Sequence, residues 1–232
     1  MDAEQRLIVA IDDPDPTAAR TLIDQLSGTV CWFKIGMTLY FRVGPDFIRS
    51  LTADGHQVFL DLKSHDIPHQ VEGAVAGLAE LGVGLVTVHT GGGPAMLRAA
   101  ARGAEGSATT VLGVTVLTSL DEEQLSAVGI SPNPAALVEQ RARIAVECGL
   151  GGIVASPLEA ERVSALSPSG FEIVTPGIRP AGTASQDQRR IATPADAIAA
   201  GATRLVVGRP ITQASDPVGA ASAVLDAIRS VT

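Results

Sequence analysis

Short apolar runs rich in Val, Ile and Leu recur eight times along the chain, with longer stretches of helical periodicity between them. The runs are LIVAID (7–12), CWFKIG (31–36), QVFLDLK (57–63), GLVTVHT (84–90), TTVLGVTVLTS (109–119), GGIVASP (151–157), FEIVTPGIR (171–179) and TRLVVGRPI (203–211). The clearest helical stretches are PTAARTLIDQL (16–26), HQVEGAVAGLAEL (69–81), PAALVEQRARIAVEC (134–148) and PVGAASAVLDAIRS (217–230). Gly55, Gly82, Gly149 and Gly201 stand where a helix ends just ahead of a strand, a position that favours a left-handed cap. Strands alternating with helices imply parallel pairing through right-handed crossovers. Eight such units in 232 residues predict an α/β protein, a single closed (β/α)8 TIM barrel spanning 1–232. The alternative is an open doubly wound sheet, against which no GxGxxG turn follows the first strand. PAGTASQDQRR (180–190) is the longest polar, turn-like stretch after a strand and is a candidate closing loop.

Composition narrows the partners. Hydrophobic residues make up 46% of the chain and aromatics 3%, so the core is built from Ala, Val, Leu and Ile. A net charge of −8 and a pI near 4.9 argue against nucleic acid and anionic membrane surfaces as partners. An anionic ligand would need a local cluster of basic groups. The two cysteines, Cys31 and Cys148, lack metal-site spacing and read as reduced core residues of a cytoplasmic protein. The opening MDAEQRLIVAID has neither the basic nor the apolar region of a signal peptide. The longest apolar stretch, GLAELGVGLVTVH, is broken by Glu80 and by glycines and falls short of the roughly 20 residues a membrane span needs.

Polar residues collect at the C-terminal ends of the apolar runs. In order they are Asp12, Lys34, Asp61 with Lys63, His89, Thr118, Arg179, and Gly208 with Arg209. In a barrel these ends surround one mouth, where active sites form. Side chains alternate along a strand, so Asp61 and Lys63 face the same way. Asp66 lies where the next helix begins, with Pro68 in the first turn, and taken alone it reads as a helix N-cap. Asp61 and Lys63 taken alone read as a structural ion pair. Buried charges cost several kcal/mol each unless paired, so the five that converge, Asp12, Lys34, Asp61, Lys63 and Asp66, read as a working site. TPGIRP and VVGRPI close the seventh and eighth strands, where barrels often bind phosphate, and Arg209 offers a planar fork for it. His89 reads as a packed or hydrogen-bonded strand residue, and His65 and His69 as solvent or interface residues.

These motifs, in this order, resemble the orotidine 5′-phosphate decarboxylase family in its compact bacterial form. The resemblance runs nearly end to end: VAID, FKIG, DLKSHDIP, TVHTGG, TVLTS, TPGIRP, DQRRIATPADAIAAGA and LVVGRPI. The DxKxxD core is shared with related phosphate-binding barrels. The DIP continuation, the TPGIRP…DQ pair and VVGRPI are more specific. Ser64 stands where the family often has a large apolar residue, and His69–Gln70 replaces a common Asn-Thr.

The resemblance implies decarboxylation of orotidine monophosphate to uridine monophosphate, the last step of de novo UMP synthesis, without metal or cofactor. It implies that Lys63 stabilises and protonates the carbanion, with Asp61 holding Lys63 and pressing on the departing carboxylate. Lys34 and Asp12 would meet the ribose, and Thr118 the pyrimidine. Arg179, Gln188, Gly208 and Arg209 would take the phosphate. Ile67, Gln70 and Pro176 are further expected substrate contacts. A homodimer is implied, with Asp66 reaching into the neighbour's site. Two rivals stand beside this reading: a magnesium-dependent sugar-phosphate decarboxylase or aldolase, and a non-catalytic barrel that binds a phosphorylated ligand.

Overall fold

The computed structural model describes residues 1–130, 133–179 and 192–232. Eight parallel strands close into a barrel in sequence order: β1 Leu7–Ile11, β2 Trp32–Gly36, β3 Gln57–Ser64, β4 Leu85–His89, β5 Thr110–Val114, β6 Gly152–Val154, β7 Glu172–Thr175 and β8 Arg204–Val207. β8 pairs with β1, so the doubly wound alternative falls away. The helices are α1 Ala3–Arg6, α2 Pro16–Leu26, α3 Met37–Ala53, α4 Pro68–Ala79, α5 Gly93–Gly103, α6 Glu122–Ala127, α7 Pro134–Glu147, α8 Pro157–Leu166, α9 Pro194–Ala199, α10 Arg209–Thr212 and α11 Pro217–Arg229.

Strand alternation sorts the apolar residues into two cores. Leu7, Val9 and Ile11 join the layer between barrel and helices, whereas Ile8 and Ala10 point inward. The inner core is small: Ile8, Ala10, Trp32, Phe59, Leu85, Leu112, Val174 and Val206. At the N-terminal end the guanidinium of Arg204 lies 4.3 Å over the Trp32 ring and pairs with Glu172 at 3.2 Å. That end is closed by packing, which leaves the C-terminal end as the open mouth.

Helix ends follow ordinary capping chemistry. Asp15 accepts from Thr17 N at 2.8 Å at the start of α2, and Asp121 forms a capping box with Gln124 on α6. All four glycines expected to close helices have positive φ, between 74° and 97°. The later strands are shorter than their apolar runs. β8 stops at Val207 because Pro210 sits in the first turn of α10, and β5 stops at Val114, so Thr118 lies in the loop beyond it. Cys31 and Cys148 are both free thiols. Among the described residues no helix is long and apolar enough to cross a membrane.

Candidate active site

The inward-facing column of each early strand turns from apolar to polar as it rises. On β1 it runs Ile8, Ala10, then Asp12. On β2 Trp32 gives way to Lys34, on β3 Phe59 to Asp61, and on β4 Leu85 to Thr87 and His89. A cavity of about 250 Å³ opens at this level. Of the residues predicted from sequence, Asp12, Lys34, Asp61, Lys63, Thr118, Pro176, Arg179, Gly208 and Arg209 all line it.

Asp61 is the hub. Its Oδ2 accepts from Lys63 Nζ at 2.8 Å and lies 3.8 Å from Lys34 Nζ. Its Oδ1 accepts from Thr87 Oγ1 at 3.0 Å. Lys34 Nζ also donates to Asp12 Oδ1 at 3.0 Å. Burial alone would push the Asp61 carboxyl up. The ammonium groups of Lys34 and Lys63, with the hydrogen bonds from Lys63 and Thr87, outweigh it and hold the group below the usual carboxylate range. Asp61 is therefore an anion clamped between two cations at the floor of the mouth.

Local backbone geometry aims this pair. The β3–β4 register runs from Leu60↔Val86 to Ser64↔Val88, so four steps along β3 match two along β4. Asp61, Leu62 and Lys63 occupy the resulting bulge. Lys63 has φ 52°, the one positive φ outside glycine among the described residues. Such a conformation costs about 1–3 kcal/mol and is typical of functional sites. Alternation alone therefore gave the right facing for Asp61 and Lys63 but not the bulge that sets it.

Three predicted contacts do not reach the cavity of their own chain. Asp66, Ile67 and Gln70 are exposed and absent from its lining. Asp66 is not the helix cap: α4 has Ile67 at its N-cap, and Asp66 Oδ1 instead accepts from the Ile67 N–H at 2.6 Å. Among the described residues Asp66 makes no ion pair. Gln188 and the 180–190 loop lie outside the described residues.

His89 is half-buried beside the site and does not line it. Its Nδ1 accepts from Gly91 N at 3.2 Å, and the His65 ring stacks on it at 5.4 Å. Burial, followed by the charges of Arg141, His65 and Lys63, lowers its pKa to about 4, so the ring is neutral at ordinary pH. That agrees with a hydrogen-bonded strand residue.

Sequence reasoning missed the opposite wall. Val114, Val116, Leu117, Val154 and Ala155, on β5 and β6 and just beyond them, line the cavity across the barrel from the charges of β1 and β2, and Val206 of β8 lines it beside β1. It also missed Thr87, whose only signal was a polar residue at alternate spacing between Leu85 and His89. The arrangement sets an ammonium and a carboxylate at the edge of an apolar-walled cavity. Such a site can stabilise negative charge developing on a ligand atom and then supply it with a proton.

Comparison with known proteins agrees with this geometry. The family described as "Orotidine 5'-phosphate decarboxylase / HUMPS family" matches residues 5–224. The chain is 48% identical to the orotidine 5'-phosphate decarboxylase of Rhodopseudomonas palustris, covering 100% of this chain and 98% of that one. It is 44% identical to the enzyme of the same name from Nitrosomonas europaea, covering 98% of this chain and 99% of that one. The crystal structure of orotidine 5'-phosphate decarboxylase from Lactobacillus acidophilus superposes with a TM-score of 0.85 at 36% identity, over 96% of this chain and 98% of that one. With likeness running along almost its whole length, in sequence and in fold, the chain belongs to the orotidine 5'-phosphate decarboxylase family and is one of its decarboxylase enzymes.

Proposed function

We propose that the chain converts orotidine monophosphate to uridine monophosphate and CO₂ without metal or cofactor, using Lys63 as the proton donor. The observation that carries this reading is the Asp61 carboxylate shared between Lys63 at 2.8 Å and Lys34 at 3.8 Å on the cavity lining. The C6–carboxylate bond breaks and its electron pair stays on C6, in the plane of the ring where the π-system cannot spread it. The Lys63 ammonium stabilises that pair and passes a proton to C6. The neutral amine then recovers a proton from solvent. A unit charge about 4 Å from an ammonium gains on the order of 4 kcal/mol at an effective dielectric of about 20. That is a substantial share of a catalytic effect and not the whole of it. Asp61 holds Lys63 in position and repels the carboxylate that must leave.

The remaining lining divides by chemistry. Asp12 and Lys34 suit the ribose hydroxyls, and Thr118 and Pro176 suit the pyrimidine side. Arg179, Gly208 and Arg209 suit the phosphate, and Gln188, which lies outside the described residues, is the further residue assigned to it. Asp66, Ile67 and Gln70 serve the site of a second copy. Two features support this: none of the three lines its own cavity, and exposed apolar side chains follow the ends of two neighbouring strands. Met37, Phe41 and Ile67, which follow the ends of β2 and β3, are 45%, 78% and 63% exposed. The cell compartment that fits two free thiols is the cytoplasm.

The magnesium-dependent rival fits less well. Lys34 Nζ lies within 3.0 Å of Asp12 and 3.8 Å of Asp61, so an ammonium already sits between the two carboxylates a metal would use. A barrel that only binds a ligand gains nothing from placing Asp61 against a carboxylate. The test is an absorbance assay with orotidine monophosphate in excess EDTA. Full turnover is expected. Loss of turnover that magnesium restores would favour the rival.

A further inference from the structure

We propose that Thr87 is a positioning residue, whose hydroxyl joins the backbone that aims Lys63 to the carboxylate that holds it. The inference deepens the reading above and rests on Lys63 and Asp61 acting on the nucleotide.

The bulge in β3 opens a local gap in the ladder. Between the pairs Leu60↔Val86 and Ser64↔Val88, β4 offers fewer backbone acceptors than β3 has donors. Lys63, at φ 52°, finds its acceptor in a side chain: its N–H donates to Thr87 Oγ1 at 2.9 Å. The same hydroxyl donates to Asp61 Oδ1 at 3.0 Å. The other oxygen of Asp61 takes Lys63 Nζ at 2.8 Å. A closed ring results: Lys63 backbone, Thr87 hydroxyl, Asp61 carboxylate, Lys63 ammonium.

A hydroxyl carries one proton and accepts through its lone pairs, so the direction of both bonds is fixed. It must accept from the Lys63 N–H and must donate to Asp61. Thr87 is 1% exposed, which leaves no path for solvent to replace either bond. The hydroxyl is also among the groups that keep the Asp61 carboxyl low. Valine has nearly the same shape and can do neither job. Serine can do both.

The test compares Thr87→Val and Thr87→Ser with wild type, and uses Lys63→Ala as a reference. Binding of uridine monophosphate counts the folded sites, so that kcat is expressed per competent site. Thr87→Val is expected to lower kcat by about 10²-fold, because a small misplacement of a reacting group has that effect. Its affinity for uridine monophosphate should stay within about threefold of wild type, since the phosphate grip lies elsewhere. Thr87→Ser should recover most of the lost kcat. The acid limb of kcat should move to higher pH in Thr87→Val, because Asp61 has lost a donor to its charged form. Should Thr87→Val fail to fold, Thr87→Cys replaces it, since sulfur fills the space but hydrogen-bonds weakly. Wild-type turnover by Lys63→Ala would overturn the reading beneath this proposal. With Lys63→Ala inactive, unchanged turnover by Thr87→Val would overturn the proposal itself. So would an equal loss in Thr87→Val and Thr87→Ser.

Discussion

Asp61 and His89 stand one strand apart, and both pKa values are lowered, with opposite consequences. Asp61 is kept charged and His89 is kept neutral. The signs separate the two in a pH titration. His89 falls from an ordinary value near 6.5 to about 4. Between those values the unfolded chain takes up a proton that the folded chain refuses, so stability falls as pH drops through that window. The contribution is complete above about pH 6.5. The depressed Asp61 contributes stability that persists above its unfolded value near 3.8 and fades only below it. Urea unfolding at several pH values should therefore show wild type weakening between pH 6.5 and 4, and His89→Gln weakening less. Identical slopes would mean that His89 is not kept neutral. The charged residues of the site were legible in the sequence because charge at the end of an apolar run is conspicuous. Thr87 and the valine wall were not. Threonine is an ordinary strand residue, and a valine lining a cavity reads the same as a valine in the core.

At the scale of elements, periodicity located every strand but not the irregularities that shape the site. The β3 bulge leaves no mark in the pattern, because QVFLDLK alternates as a regular strand would. Asp66 looked like a cap because Pro68 marks the helix start, yet the chain places Ile67 at the cap and leaves Asp66 outside. The position of α4, which carries this rim, depends on its close fit to α5. A Cβ at Gly103 would fall 2.5 Å from the Glu72 carbonyl oxygen and 3.0 Å from Val75 Cβ. Gly103→Ala should force the helices apart and cost about 1–3 kcal/mol in urea unfolding. An unchanged midpoint would show that the contact yields freely. The ends of β7 and β8 carry the separate expectation for the phosphate. Arg209→Ala should reduce kcat/KM for the nucleotide, while turnover of the phosphate-free nucleoside stays nearly unchanged. Equal losses on both substrates would make Arg209 structural.

At the scale of the molecule, the closed barrel was legible because eight alternating units leave few other arrangements, and the mouth followed from where the charges fall. Sharing of the site between two copies entered through family resemblance, since no periodicity encodes which surfaces meet. In the proposed dimer, Asp66, Ile67 and Gln70, which are exposed and do not line the cavity, are the residues assigned to the second copy. If the proposed interface is two-fold, the exchange is reciprocal, each subunit giving its Asp66 and receiving another. The most direct measurement mixes Asp66→Asn with Lys63→Ala under conditions where subunits exchange, and follows decarboxylation of orotidine monophosphate. Each variant alone should be nearly inactive. In a mixed dimer one site carries both changes and the other carries neither. Equal mixing makes about half the dimers mixed, so roughly a quarter of all sites should regain wild-type turnover. Contradiction would come from a mixture that stays inactive although exchange is demonstrated, or from Lys63→Ala alone turning over the nucleotide like wild type.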